Sequence, residues 1–175
     1  MTKIVVTFGL IAGAIMAAMM FLTLPFQEQI GFDKGLIVGY TSMVLAFLMI
    51  YFGVRSYRDN VTGGQLTFGR AFAVGVMITL VATVCYVAAW EVIYHNFMPD
   101  FVDKYAAQVI AEAKAAGASE AKIAEQVKQM NDFKEMYKNP FYNVAMTAIE
   151  PLPVGLVLAL VTAGVLRRKR AGAQN

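Results

Sequence analysis

Four runs of about 20 apolar residues decide what this chain can fold into. They cover Ile4–Leu24, ended by Pro25; Gly35–Val54, between Lys34 and Arg55; Ala71–Trp90, between Arg70 and Glu91; and Tyr142–Leu166, stopped by Arg167, Arg168, Lys169 and Arg170. At ~1.5 Å rise per residue, a run of ~20 residues crosses a hydrocarbon core of ~30 Å. In lipid only a helix satisfies its backbone N–H and C=O groups within its own segment. The pattern therefore predicts an all-α integral membrane protein, a single membrane domain over 1–175 with four transmembrane helices at about 4–24, 35–54, 71–90 and 142–166. With 58% hydrophobic and 15% charged residues, the chain falls well short of the roughly 25% charge of soluble domains. A disordered chain, a disulfide scaffold and a nucleic-acid module are excluded on the same ground. One cysteine, Cys85, and one histidine, His95, leave no cluster for zinc or redox chemistry, so no metal and no cofactor is expected. The first run, 21 residues long, exceeds the usual ~7–15-residue core of a signal peptide and is read as a retained helix.

Basic residues set the orientation. Lys3, Arg55, Arg58, Arg70 and the Arg167–Arg170 cluster face one side with a single acid, Asp59. The short first loop holds Lys34 against Glu28 and Asp33, and the stretch from Asp100 to Lys138 sets six lysines against seven acids. Both termini are therefore expected in the cytoplasm. Tyr86, Trp90 and Tyr94, with Phe141 and Tyr142, form the expected aromatic belt at the outer interface; Tyr51, Phe52 and Tyr57 form the inner one.

The segment 99–139 reads as an extracytoplasmic amphipathic helical hairpin between helices 3 and 4. Pro99 suits a first helical turn, Gly117 a stop and Ser119 an N-cap. Two helices of ~18 residues are expected, antiparallel, with narrow apolar stripes. Ile123, Val127 and Met130 on the second stripe are the candidate contact residues.

Glu150 lies inside the fourth run, about 12 Å below Tyr142. A charged carboxylate near the bilayer centre costs roughly 2.5–3.5 kcal/mol on insertion scales, so the fold must face it inward, pair it or protonate it. Pro151 and Pro153 lack N–H donors and free the carbonyls of Thr147 and Ile149. Glu150, Thr147, Pro151 and Pro153 thus form a candidate proton or cation site; a neutral structural acid satisfying the same kink is the other reading. Glu91 and His95, one turn apart, are a candidate interfacial hydrogen-bonded pair. Small residues recur every four positions at Gly9, Gly13 and Ala17, at Gly35 and Gly39, and at Ala71 and Gly75, a spacing that lets helix backbones approach closely within or between chains. Gly63-Gly64 through Gly69 lacks the ending of a phosphate loop, and no G-x-S-x-G, H-E-x-x-H or Cys-x-x-Cys occurs. No enzyme is expected.

Several stretches carry a resemblance: GYTSMVLAFLMIYFGVRSYRDN at Gly39–Asn60, LTFGRAFAVGVMITLVA at Leu66–Ala82, FMPDFVDKY at Phe97–Tyr105, MYKNPFYNV from Met136 and PVGLVLAL to Leu160. In this order they resemble the DUF4199 family of bacterial membrane proteins, a domain of unknown function. The resemblance implies a multi-pass bacterial inner-membrane protein and carries over no activity or site residue. The leading expectation is a non-enzymatic protein whose surroundings are the lipid bilayer and which acts through a homo-oligomer or a membrane-protein partner. The alternative is a small oligomeric transporter or channel with Glu150 as its ion-coupling carboxylate.

Overall fold

A computed structural model of the chain describes residues 1–167, the side chains at positions 28, 32 and 33 excepted. Arg168, Lys169 and Arg170 of the terminal cluster lie outside the described residues, as do the side chains of Glu28 and Asp33 in the first loop. The described residues form helices α1 (Thr2–Thr23), α2 (Gln27–Asn60), α3 (Phe68–Asn96), α4 (Phe101–Ala115), α5 (Glu120–Tyr137), α6 (Pro140–Ile149) and α7 (Pro151–Leu166). Four stretches are long and apolar enough to cross a membrane: Thr2–Phe26, Lys34–Asn60, Phe68–Asn96 and Pro140–Leu166. These are the four expected spans. They run past the uncharged cores because a helix continues through polar residues while its carbonyls still find donors.

The chain divides into two compact units, Met1–Ala89 with Ala148–Asn175, and Trp90–Thr147. The second begins and ends further out than the 99–139 insertion read from the sequence, taking the last turns of α3 and most of α6.

In the first unit, Pro25 sits in a 3-10 turn, Leu24–Phe26. The first loop proves largely helical: α2 starts at Gln27 and breaks only at Gly31, whose φ of 70° and ψ of 169° belong to a region essentially confined to glycine. The core is built on Phe47, Ile50, Val54, Ala71, Val74, Ile78 and Ala82, none with any exposed surface. Helix α1 packs on α2, and α2 on α7. Backbones approach where small residues allow it. A Cβ at Gly9 would lie 2.6 Å from Val81 Cβ, one at Gly13 would strike Cys85, and one at Gly75 would lie 2.8 Å from Ala159 Cβ. Lipid supplies no hydrophobic drive between helices, so such close approach is a main source of their attraction. Gly35 and Gly39 differ, since a Cβ there meets nothing within 4 Å.

In the second unit, α4 and α5 pack on each other, with Lys134 Nζ 2.6 Å from Asp103 Oδ1 and the Tyr105 and Phe133 rings 6.2 Å apart. Gly117 closes α4 with φ at 72°. Its N–H donates to Lys114 O and the Ala118 N–H to Ala113 O, both at 3.0 Å, the paired bonds of a Schellman motif. Ser119 caps α5 by accepting from the Lys122 N–H. Pro99 does not open α4. The helix starts at Phe101, after a turn in which the Phe101 N–H reaches Met98 O, and runs 15 residues rather than ~18. Ile123 and Met130 lie half-buried, while Val127 stands 36% exposed. The less exposed face of α5 runs through 123, 126, 130, 133 and 137, and Val127 sits at its rim.

Candidate functional site

The fourth span is interrupted where the prolines demand it. Pro151 and Pro153 cannot donate to the carbonyls one turn back, so α6 ends at Ile149 and α7 starts at Pro151. Glu150 keeps helical torsions, φ −61° and ψ −55°. The interruption therefore lies in the hydrogen bonding.

Helices α3 and α7 run antiparallel. Gly75 faces Ala159, Thr79 faces Gly155, and further along the same contact Tyr86 meets Glu150. The Tyr86 hydroxyl donates to Glu150 Oε2 at 2.6 Å, a short O–H···O bond. Tyr86 is 9% exposed, so the aromatic belt loses it: it is an internal donor. The readable signal was its phase, because Gly75, Thr79 and Tyr86 recur at helical spacing, small or polar within an apolar run. Thr83, between them and buried, has an Oγ1 with no hydrogen-bond partner among the described residues. Thr79 instead donates to Gly75 O.

The four residues expected around the kink are partnered separately. Glu150 is held by Tyr86, whereas the Thr147 hydroxyl, buried in the second unit, donates to Asn143 Oδ1 at 3.3 Å. Pro151 is buried and Pro153 exposed.

The second unit carries its own constellation. His95 Nε2 lies 3.2 Å from Glu91 Oε2, the spacing expected one turn apart. Glu91 Oε1 is buried without a hydrogen-bond partner among the described residues. Trp90, Tyr94, Phe101, Phe133 and Tyr137 form a run of ring contacts, with Trp90–Phe101 at 4.8 Å, Tyr94–Tyr137 at 5.4 Å and Phe133–Tyr137 at 5.3 Å. The Trp90 indole N–H donates to Tyr137 Oη at 3.0 Å. Burial pushes the Tyr137 hydroxyl above the ordinary phenol range. Beside these rings opens a cleft of about 280 Å³, lined by Tyr94, His95, Pro99, Tyr137, Lys138 and Asn143 among others. Lys138 lies 2.7 Å from Glu135, a bond that raises its pKa above the usual lysine value and keeps it charged. Among the described residues no three His, Cys, Asp or Glu side chains are grouped to hold a metal ion.

No curated protein and no solved structure matches the chain. A family model described as "Protein of unknown function (DUF4199)" matches residues 7–168. That match takes in most of the first span, the other three whole and both polar clusters, and the chain belongs to the DUF4199 family.

Proposed function

We propose that this chain is a non-enzymatic multi-pass protein of the bacterial inner membrane that acts by associating with further membrane helices, in the first place those of a second copy. The observation that carries this reading is the α2 face at Gly35 and Gly39. The glycines at 9, 13, 75 and 155 are each filled by a neighbouring helix of the same chain, while Gly35 and Gly39 have open space where a Cβ would stand. Leu36, Ile37 and Tyr40 beside them are exposed. Glycines four apart on a spanning helix favour a close helix partner, and this chain leaves that place open. In lipid nanodiscs, wild-type protein is expected to assemble into more than one copy. Gly35→Leu with Gly39→Leu should weaken that assembly about tenfold or more without lowering the unfolding midpoint. A wild type that stays monomeric, or an assembly indifferent to the two leucines, would remove the basis of the reading.

In this proposal both termini are cytoplasmic, and α4 and α5 form an extracytoplasmic hairpin whose contact residues are Ile123, Val127 and Met130; the excess of lysine and arginine on the opposite side supports it. In a Cys85→Ala background, a cysteine at Ala118 should react with an impermeant thiol reagent in intact cells. Cysteines at Ser56 and Gly172, the latter outside the described residues, should not. Labelling at Gly172 and silence at Ala118 would invert the arrangement.

The Tyr86–Glu150 bond favours a second reading, in which Glu150 couples proton or cation movement. Wild-type protein in liposomes should then show a pH- or cation-dependent flux, lost in Glu150→Gln. No flux over a broad ion panel would retire it.

A further inference from the structure

In the second unit, two hydrogen bonds end on residues that line one cleft. An indole N–H donates and cannot accept, so Tyr137 Oη accepts from Trp90. Thr147 passes its proton to Asn143 Oδ1. Asn143 also lines the cleft, and with its oxygen engaged by Thr147 the amide N–H donors are what it can offer a ligand there. The residue is only 2% exposed.

The rest of the lining sets the charge of that acceptor. Among the described residues, Lys138 and His95 line the cleft and no carboxylate does. Glu135 and Glu91, which hold them, stand outside the lining. Tyr94, Tyr137, Pro99 and Pro140 supply apolar wall. At about 280 Å³ the space exceeds what a bare tetrahedral anion fills, leaving room for an organic substituent against the rings. The cleft is also walled by Tyr94 and by Tyr137, to which the Trp90 indole is bonded. Such residues sit at headgroup level, the layer in which phosphates are densest.

We propose that this cleft binds a phosphate ester, its anionic oxygens on the Asn143 amide and the Lys138 ammonium and its organic part against Tyr94 and Tyr137. The ester can reach the cleft as a lipid headgroup or from solution, and the test separates the two. Trp90 is the only tryptophan of the chain and is bonded to a residue of the cleft wall, so its emission reports occupancy. The full chain in neutral detergent is titrated with dihexanoyl phosphatidylglycerol, with glycerol 3-phosphate, and with a short-chain diacylglycerol that has no phosphate.

A saturable emission change with the phospholipid alone identifies a headgroup site. An equal response to glycerol 3-phosphate identifies a soluble ester. Asn143→Asp keeps an acceptor for Thr147 but replaces the donors with a carboxylate, and should weaken binding about tenfold or more. Lys138→Gln alters a side chain that is 69% exposed, leaves the fold intact, and should weaken binding several-fold. Where Asn143→Asp fails to fold, Lys138→Gln decides alone. Binding of diacylglycerol as tight as that of the phospholipid, absence of saturation with both phosphate compounds, or wild-type affinity in Lys138→Gln overturns the proposal.

Discussion

A single methyl group added at Gly75 or Gly155 is expected to destabilise the protein by about 1–3 kcal/mol, the usual cost of overpacking. The same methyl at Gly35 or Gly39 should leave stability unchanged or raise it by up to about 1 kcal/mol, because alanine is the better helix former. The contrast follows from what each Cβ meets. At Gly75 it would lie 2.8 Å from Ala159 Cβ and 3.2 Å from the Ala159 Cα, and a backbone atom cannot swing aside. At Gly155 it would lie 2.6 Å from Thr79 Oγ1, which is buried and already committed to Gly75 O. Unfolding titrations of the four alanine variants in a denaturing detergent measure this directly. Equal stabilities across the four would mean that the α3–α7 contact is looser than described.

Tyr86→Phe removes one oxygen, and the loss is expected to reach about 1–3 kcal/mol, the cost of leaving a buried polar group without its hydrogen-bond partner. The Glu150 carboxylate stays in the spanning region without its donor. Glu150→Gln should cost less, because its amide oxygen still accepts from Tyr86. Combining Tyr86→Phe with Glu150→Leu should cost less than the two changes summed, by about 1–2 kcal/mol, since neither orphan remains in the double variant. Additive losses would show that the two side chains do not depend on each other.

Much of this fold was legible from hydropathy, because a membrane span needs only length and an absence of charge to be recognised. The Gly117 stop and the Ser119 cap were legible for a similar reason: each is a local solution to a helix end, written in one residue. The proline interruption at Glu150 was readable too, since a missing N–H belongs to the residue itself. The partner of Glu150 was not. Tyr86 is 64 positions away in sequence, and only the register of α3 against α7 brings it there. From depth alone it passed as one more interfacial tyrosine. Thr147 and Glu150, three residues apart, looked like one site and found separate partners: Thr147 bonds one turn back on its own helix, Glu150 across to α3. Pro99 misled through a real preference for first turns, overridden when the chain leaving α3 used it in a turn. The Gly35–Gly39 stripe could not be told from Gly9–Gly13 by composition, for the difference lies in which neighbours arrive.

The second unit starts within α3 and ends within α6, so its borders fall inside continuous helix. This restricts how the chain can be cut, shortened or recombined. Excising 99–139 would remove Phe101 and Tyr137, the rings that Trp90 and Tyr94 lean on, and would strand those two at the end of α3. Cutting at the borders of the unit would shorten two membrane crossings at once. The polar insertion is therefore no exchangeable cassette. A transplant that keeps both crossings at full length and the ring contacts whole must carry α3 and α6 complete along with it.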